Sequence, residues 1–329
     1  MTATIYDVAQ RAGVGIATVS RALRGSGSVR PETRERILRA AEELHFTPSR
    51  LGVSLAQGRH AANGIAFPNL SAPYYAEVLL GYEEVTSELG RSVIILSAGG
   101  RGVTPEQVRD LAGRVDGLVV HGRTVPADLL AELVDGGLPT VLLAGAPVAG
   151  ADLLTTENTG SARLLAEHLL GHGLRRLAFL GGPSGGPDVD ERWSAVAAAL
   201  AAAGAPPPRP APLTEYGVAA ARRAALDLLA GPDRPEALVC AHDEVALGAL
   251  AAARELGLDV PGDLAVTGWD DIMAAEHSWP PLTTVRQPLR LLGATAARAL
   301  DELVSGARTE PGHRILPTEL VLRSSCGCR

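Results

Sequence analysis

The chain contains no lysine: all thirty of its basic residues are arginine. Without lysine there is no phosphate loop ending in Gly-Lys-Ser/Thr. No Gly-x-Gly-x-x-Gly opens a helix after the first strand-like segment either, so nucleotide enzymes are disfavoured and no cofactor is expected. The arginine bias itself is read as a matter of coding, with no functional weight. Cysteine is scarce: there are three, two of them, Cys326 and Cys328, among the last four residues. That is too few for a disulfide framework, and Cys-x-Cys at a chain end is not a zinc spacing, so no metal site is expected. No apolar run reaches the roughly 18 residues of a membrane helix. The opening residues, MTATIYDVAQRAG, have neither the basic nor the apolar region of a secretory signal. The expected setting is a reducing cytoplasm, away from membranes.

What is present is enough for two or three domains: 329 residues, 46% hydrophobic and 20% charged, a globular composition. The formal charge of −7 is unevenly spread. Residues 1–60 carry nine arginines against five acids, a net +4, which leaves −11 on the remainder. A basic head on an acidic body points to a polyanionic partner for the head.

In the stretch TIYDVAQRAGVGIATVSRAL, Ile5, Val8, Ala9 and Ala12 take helical spacing. Gly13-Val14-Gly15 then break the pattern, and Val19, Ala22 and Leu23 resume it. A third segment starts at Pro31, a favoured first-turn residue, with Ile37, Leu38, Ala41 and Leu44 read as one face. Three short helices with a tight glycine-containing turn make a helix-turn-helix, whose second helix presents its first side chains to the major groove. From residue 62 the texture changes. Short apolar runs (GIAF, SVIILS, GLVV, TVLLA, RLAFLG, ALVCA, LAVTGW) alternate with helix-like stretches such as 74–89, 159–171, 217–230 and 243–256. This is βαβ alternation, which implies parallel sheets covered on both faces. The proline cluster GAPPPRPAP, 204–212, reads as a surface loop.

These features resemble the lactose-repressor/galactose-repressor (LacI/GalR) family. The likeness runs from TIYDVAQRAGVGIATVSRALRGSGSVRPETRERILRAAEELHFTPSRLGVSLAQGR through HLLGHGLRRLAFLGGP, DEVALGALAAARELGLDVPGDLAVTGWDD and PPLTTVRQPLRLLG. The resemblance implies a helix-turn-helix headpiece (1–48) and a hinge (49–60). It also implies a two-lobed, periplasmic-binding-protein-like core (61–329), with one lobe from about 61–157 and 288–317 and the other from about 160–285 and 319–325. The chain would cross between lobes near 156–160, 284–288 and 316–320. The implied protein is a ligand-responsive repressor, not an enzyme, that binds a palindromic DNA operator as a homodimer. A dimer is expected because the chain lacks the leucine-heptad tail of tetrameric members.

By the same resemblance, Ile16 and Ala17 face bases and Arg21 reads a guanine, for which a bidentate pair to O6 and N7 is the physical basis. Tyr6, Thr18, Ser20 and Arg34 match phosphate contacts, and Leu55 matches the leucine that wedges into the minor groove. Three positions depart from the family pattern. Gly15 replaces a capping serine, Arg30 replaces the cap of the third helix and is read as a longer-range phosphate contact, and Gly52-Val53 replaces Ala-Arg in the hinge. A weaker hinge helix that depends on DNA follows from the last change.

Candidate ligand residues lie just after strands, where ligands sit in such sheets. They are Asn69, Tyr74, Tyr75, His242 and Asp270; the resemblance adds Arg192, which matches a ligand-facing arginine of the family, and Tyr216, near the position of an aromatic that packs on the ligand. An acid, an arginine and aromatic faces suit a sugar, polyol or nucleobase. His242, where the family has Asn, and Ala144, where some members have Asp, leave the effector open. Tyr75 is also expected to be partly core. Trp269 and Trp193 fit either core packing or pocket lining. Asp271 is read as a loop cap and His172 as a turn or surface residue.

Two other readings compete. GPSGG, 182–186, satisfies Gly-x-Ser-x-Gly, so Ser184 with Asp243 or Asp270 and His277 would give a serine esterase. Against it, Pro187 and the following Asp-Val-Asp are expected to prolong the loop instead of turning into a helix, and no HGGG-like stretch supplies an oxyanion hole. A secreted solute-binding protein fits the lobes but neither the basic head nor the missing signal.

Overall fold

In a computed structural model of the chain, residues 3–23, 29–46, 60–99, 102–122, 124–183, 186–213 and 216–328 are described. The chain divides into two compact units, Met1–His60 and Ala61–Arg329.

The first unit holds three helices: α1 (Ile5–Ala12), α2 (Ile16–Leu23) and α3 (Pro31–Glu43). Helix α1 starts at a reciprocal cap. Asp7 N donates to Thr4 Oγ1, and Asp7 Oδ2 accepts from Thr4 N at 2.8 Å, so two orphan amides at the helix end are satisfied. Gly13 ends it at φ +65°, a left-handed position that glycine takes without strain. Val8, Ala9, Ala12, Val19, Ala22, Ile37, Ala40 and Ala41 form the core. Leu38 does not join them and is 48% exposed. The buried stripe of α3 is Ile37, Ala40 and Ala41, with the half-buried Leu44 at its C-cap, and one residue of offset turns Leu38 about 100° away. Arg36 Nε donates to Ala12 O at 2.8 Å and ties α3 to the end of α1.

The second unit contains two parallel sheets. The first joins β1 (Ala62–Phe67), β2 (Ser92–Ser97), β3 (Gly117–His121), β4 (Thr140–Leu143), β5 (Asp152–Thr156) and, from near the chain end, β11 (His313–Leu316), in the order β11-β5-β4-β3-β1-β2. The second joins β6 (Leu177–Leu180), β7 (Arg209–Ala211), β8 (Ala237–Cys240) and β9 (Ala265–Thr267), in the order β7-β6-β8-β9. A small antiparallel pair, β10 (Thr284–Arg286) with β12 (Glu319–Val321), lies among the segments that pass from lobe to lobe. Each large sheet has a buried apolar cluster on each face, as parallel strands require.

Helices α4 (Pro73–Glu88), α5 (Pro105–Ala112), α6 (Ala127–Asp135) and α12 (Leu289–Ser305) cover the first sheet. Helices α7 (Thr159–Gly171), α8 (Pro187–Ala202), α9 (Val218–Leu229) and α10 (Asp243–Glu255) cover the second, and the short α11 (Met273–His277) follows β9. Helices α4 and α12 meet through two glycines. A Cβ at Gly81 would lie 1.9 Å from Arg290 O, and one at Gly293 would lie 1.9 Å from Val78 O.

Two loop expectations fail here. Pro187 does not prolong a loop; it is the first residue of the sixteen-residue helix α8, because proline's fixed φ suits a first turn. Arg209–Ala211, inside the proline cluster, pairs with β6 as the sheet's edge strand, where a proline need not donate to the ladder.

Candidate functional site

The predicted DNA-facing side chains fall on the uncovered faces of the headpiece. Val19 and Ala22 of α2 are buried, while Ile16, Ala17 and Arg21 are exposed and Thr18 and Ser20 half-buried. Arg21 Nε donates to Ala17 O at 3.2 Å. Tyr6, on α1, is 67% exposed. Arg34 is half-buried on α3, and Arg30 stands exposed at the N-cap of that helix with no side-chain cap bond. Gly15 O accepts from Thr18 N and Val19 N and so starts α2. A Cβ at Gly15 would meet nothing within 4 Å. Leu55, Gly52 and Val53 lie outside the described residues.

In the second unit the carboxyl ends of both large sheets open on one cavity of about 420 Å³, within the usual range of small-molecule sites. Asn69, Tyr74, Tyr75, Arg192, Tyr216, His242 and Asp270 all line it. Asn69 follows β1 and spends its carbonyl on a turn, accepting from Ser71 N and Oγ at 3.1 and 2.8 Å. Tyr74 and Tyr75 open α4 and pack edge-on at 5.3 Å. Both rings also pack against His121 from the end of β3, at 5.3 and 5.2 Å, and Tyr74 Oη lies 3.2 Å from His121 Nε2. Tyr216 donates to Gly181 O at 2.6 Å and stacks edge-on against His242. Tyr75 also packs on the core of the first sheet, so its two expected roles coexist.

Arg192 is the most constrained of the seven. It is 3% exposed. Its Nε donates to Asn158 Oδ1 at 2.8 Å and its Nη1 to Ala241 O at 3.0 Å, and the guanidinium lies 4.3 Å over the ring of Trp269. Trp269 is therefore a buried platform under the arginine and not part of the cavity wall. Trp193 packs on Phe179 in the core.

Three acids, Asp188, Glu244 and Asp270, line the cavity with one arginine, Arg192, and two histidines, His121 and His242. Burial holds the Asp188 and Glu244 carboxyls above their ordinary range, with Arg192 pulling Asp188 the other way. Burial first, then the neighbouring His242, pushes His121 down to about 4, so its imidazole is neutral near pH 7. Its Nδ1 is buried and makes no hydrogen bond among the described residues. Desolvation pushes the Tyr75 phenol up to about 12. These groups offer carboxylate acceptors, a neutral imidazole and aromatic edges. Such a set offers several partners to hydroxyl groups, whereas the one arginine that could meet an anion is partly spent on Asn158 and Ala241 O.

Asp270 holds a backbone conformation, φ +117°, that side chains rarely adopt and that costs about 1–3 kcal/mol to hold. Its Oδ1 accepts from Gln287 Nε2 at 2.6 Å, and Gln287 Oε1 accepts from Thr156 Oγ1 at 2.5 Å. His242 Nδ1 lies 3.6 Å from its other oxygen. Thr156 ends β5 at the first crossing between lobes, and Gln287 sits in the second. The third crossing is tied to the first: Thr318 Oγ1 donates to Glu157 O at 2.8 Å, and Ser161 Oγ lies 2.8 Å from that hydroxyl. Asp271 does not cap the following loop. It pairs with Arg286 and Arg323 at 2.7 Å each, and Asp243 Oδ2 accepts from Ile272 N instead.

Residues 4–49 match the bacterial regulatory proteins of the lacI family, and residues 166–326 match a periplasmic binding protein-like domain. The HTH-type transcriptional regulator CelR of Thermobifida fusca is 35% identical, over 98% of each chain. The chain belongs to the lacI family. Among solved structures, a transcriptional regulator CelR–cellobiose complex superposes with a TM-score of 0.73 at 32% identity, over 98% of this chain and 99% of that one. A Lac repressor dimer bound to operator and the anti-inducer ONPF superposes with a TM-score of 0.85 at 27% identity, over 99% of each. This lacI-family protein is thus a transcriptional regulator with a helix-turn-helix head and a ligand-sensing α/β core. None of its helices is long and apolar enough, among the described residues, to cross a membrane.

His121, Asp188, Glu244 and Gln287 also line the cavity and were not anticipated. The rule of looking just after strands points at His121, the last residue of β3. Asp188 and Glu244 lie in the first turns of α8 and α10, where the sequence shows only ordinary helix-start acids. Nothing local distinguishes Gln287.

Proposed function

We propose that the chain is a repressor that binds a palindromic operator as a homodimer and releases or tightens on it when a neutral sugar or polyol fills the cleft. The observation that carries this reading is the chain of hydrogen bonds Asp270–Gln287–Thr156, which runs from the cavity wall into two of the three lobe crossings. A ligand hydroxyl donating to Asp270 competes with Gln287 for the same carboxylate. Occupancy thereby biases the geometry of the crossings, and a ligand that prefers one lobe arrangement shifts the population toward it. The ligand class rests on the hydrogen-bonding carboxyls of Asp188, Glu244 and Asp270, on the aromatic edges of Tyr74, Tyr75 and Tyr216, and on CelR, whose solved complex holds cellobiose.

In this reading Ile16, Ala17 and Arg21 meet bases. Tyr6, Thr18, Ser20, Arg30 and Arg34 meet phosphates, and Leu55 wedges the central step. The two-fold operator follows from two heads on a symmetric dimer. No catalysis is assigned. Asp243, the first acid of the alternative triad, gives its oxygens to Thr284 and Ile272, and Asp270 gives one to Gln287, so neither carboxylate is committed to His277. The test is selection of bound sequences from random duplexes at fixed salt, repeated with neutral sugars and polyols. An enriched palindrome whose recovery changes with at least one of these ligands supports the reading. Enrichment that no member of the panel alters overturns the assigned ligand class.

A further inference from the structure

The last residues of the chain fold back on α7. Four donor atoms, from His168, His172, Cys326 and Cys328, all lie within 4.8 Å of one another. Cys326 Sγ is 3.3 Å from His168 Nε2. Cys328 Sγ is 3.4 Å from His168 Nε2 and 3.6 Å from His172 Nε2. We propose that these four residues form a tetrahedral zinc site that pins the chain end to α7.

The distances suit that geometry. Tetrahedral zinc with Zn–S near 2.3 Å and Zn–N near 2.0–2.1 Å separates its sulfur and nitrogen ligands by about 3.5 Å. Two thiolates with two imidazoles select a borderline-soft ion of tetrahedral habit. Four protein ligands leave no open position, so the site is structural and not catalytic.

The local sequence explains how the set assembles. His168 lies in the last turn of α7 and His172, four positions on, is its C-cap residue, so both rings meet at the end of the helix, 4.7 Å apart. Gly327 takes φ +103°, so the chain reverses between the two cysteines and both sulfurs turn toward the helix. That left-handed position costs glycine nothing, which is why Cys-Gly-Cys can chelate where its spacing alone is uninformative. Ser325 anchors the turn, its hydroxyl donating to Val266 O at 2.6 Å. Thr283 Oγ1 lies 3.0 Å from Cys326 Sγ and 2.9 Å from Arg323 O; its one proton, turned to the sulfur, would steady a thiolate as partners of metal ligands do. The site joins the segment after β12 to a helix that begins at the first lobe crossing. Zinc would therefore stiffen the second lobe.

The full chain, reduced and stripped by chelator, is titrated with Zn²⁺ alone against a chromophoric competitor and, separately, with Co²⁺. The expected results are one equivalent of zinc, intense visible bands of tetrahedral thiolate-bound cobalt, and a higher Tm in zinc. Cys328→Ser and His172→Gln alter the two less embedded ligands and spare the buried Cys326. Each should keep the far-ultraviolet spectrum while weakening zinc at least about a hundredfold, more than loss of an outer partner would. Failure to bind stoichiometrically with both thiols titrating as free would overturn the site. So would variants that bind as tightly as the parent, or recovery of Cys326 and Cys328 bridged to each other after isolation under reductant.

Discussion

Gln287 Nε2 donates to Asp270 Oδ1 at 2.6 Å while its own carbonyl accepts from Thr156. One side chain thus joins the strained wall residue of the cleft to the end of β5. Gln287→Ala removes both bonds in a buried setting, and its cost to stability is expected to be about 1–3 kcal/mol. The more informative consequence is functional. Operator binding without ligand should persist, and the change in operator affinity caused by ligand should shrink. Equilibrium titrations of labelled operator with and without ligand measure both.

Arg192 is held by Asn158, Ala241 O and Trp269, so its truncation is first a stability lesion. Arg192→Ala leaves Asn158 Oδ1 and Ala241 O without their buried partner, and a loss of about 2–4 kcal/mol is expected. Denaturant unfolding followed by near-ultraviolet circular dichroism reads it. An unchanged midpoint would contradict the stabilising role assigned to these bonds.

His121 makes stability depend on acid. Its folded value, about 4, lies below the ordinary 6.5. Between those values the unfolded chain takes up a proton that the folded chain refuses. This contribution to stability is complete above about pH 6.5, falls as pH drops toward 4, and levels off below, by about 1.4 kcal/mol per pH unit at most. The raised carboxyl of Asp188 works in the opposite sense, so the difference between parent and His121→Phe is the quantity to follow. Equal slopes for the two proteins would contradict the assignment.

Arg21→Ala should lose about 1–3 kcal/mol at one base position of the selected operator and little elsewhere. Gly15→Ser enters open space, so the headpiece should fold as before and bind the operator more tightly through a regained hydroxyl. A competitive selection containing all three proteins would show both effects. Uniform weakening by Arg21→Ala would mean that the arginine meets phosphate only.

How much of this was readable in advance differs by level. Val8, Ala12, Val19, Ala22 and Ile37 declared the headpiece core through their spacing, because helical periodicity is a local property. Leu38 was misplaced because a pair of adjacent apolar residues does not say which one faces inward. Strands such as Ser92–Ser97 were evident as apolar runs, whereas α8 was hidden by the proline that opens it. Seven cleft residues were reachable from strand ends and family likeness. Gln287 and the partners of Arg192 were not, because their roles depend on contacts between segments 17 to 131 residues apart. The same holds for Cys326 and Cys328. Their spacing argued against a metal, and only the fold brings His168 and His172 to them.

In the proposed mechanism, ligand in the cleft and operator on the headpiece are coupled through Asp270, Gln287 and Thr156. The direct measurement is the ratio of operator Kd with and without the ligand returned by the sugar and polyol screen, for the parent and for Gln287→Ala, with ligand Kd measured on both and off DNA. The account predicts that ligand still binds Gln287→Ala while the ratio moves toward one, and that the parent shows the same factor in ligand affinity on and off DNA, as linkage demands. A Gln287→Ala protein that binds ligand and keeps the full ratio would contradict it.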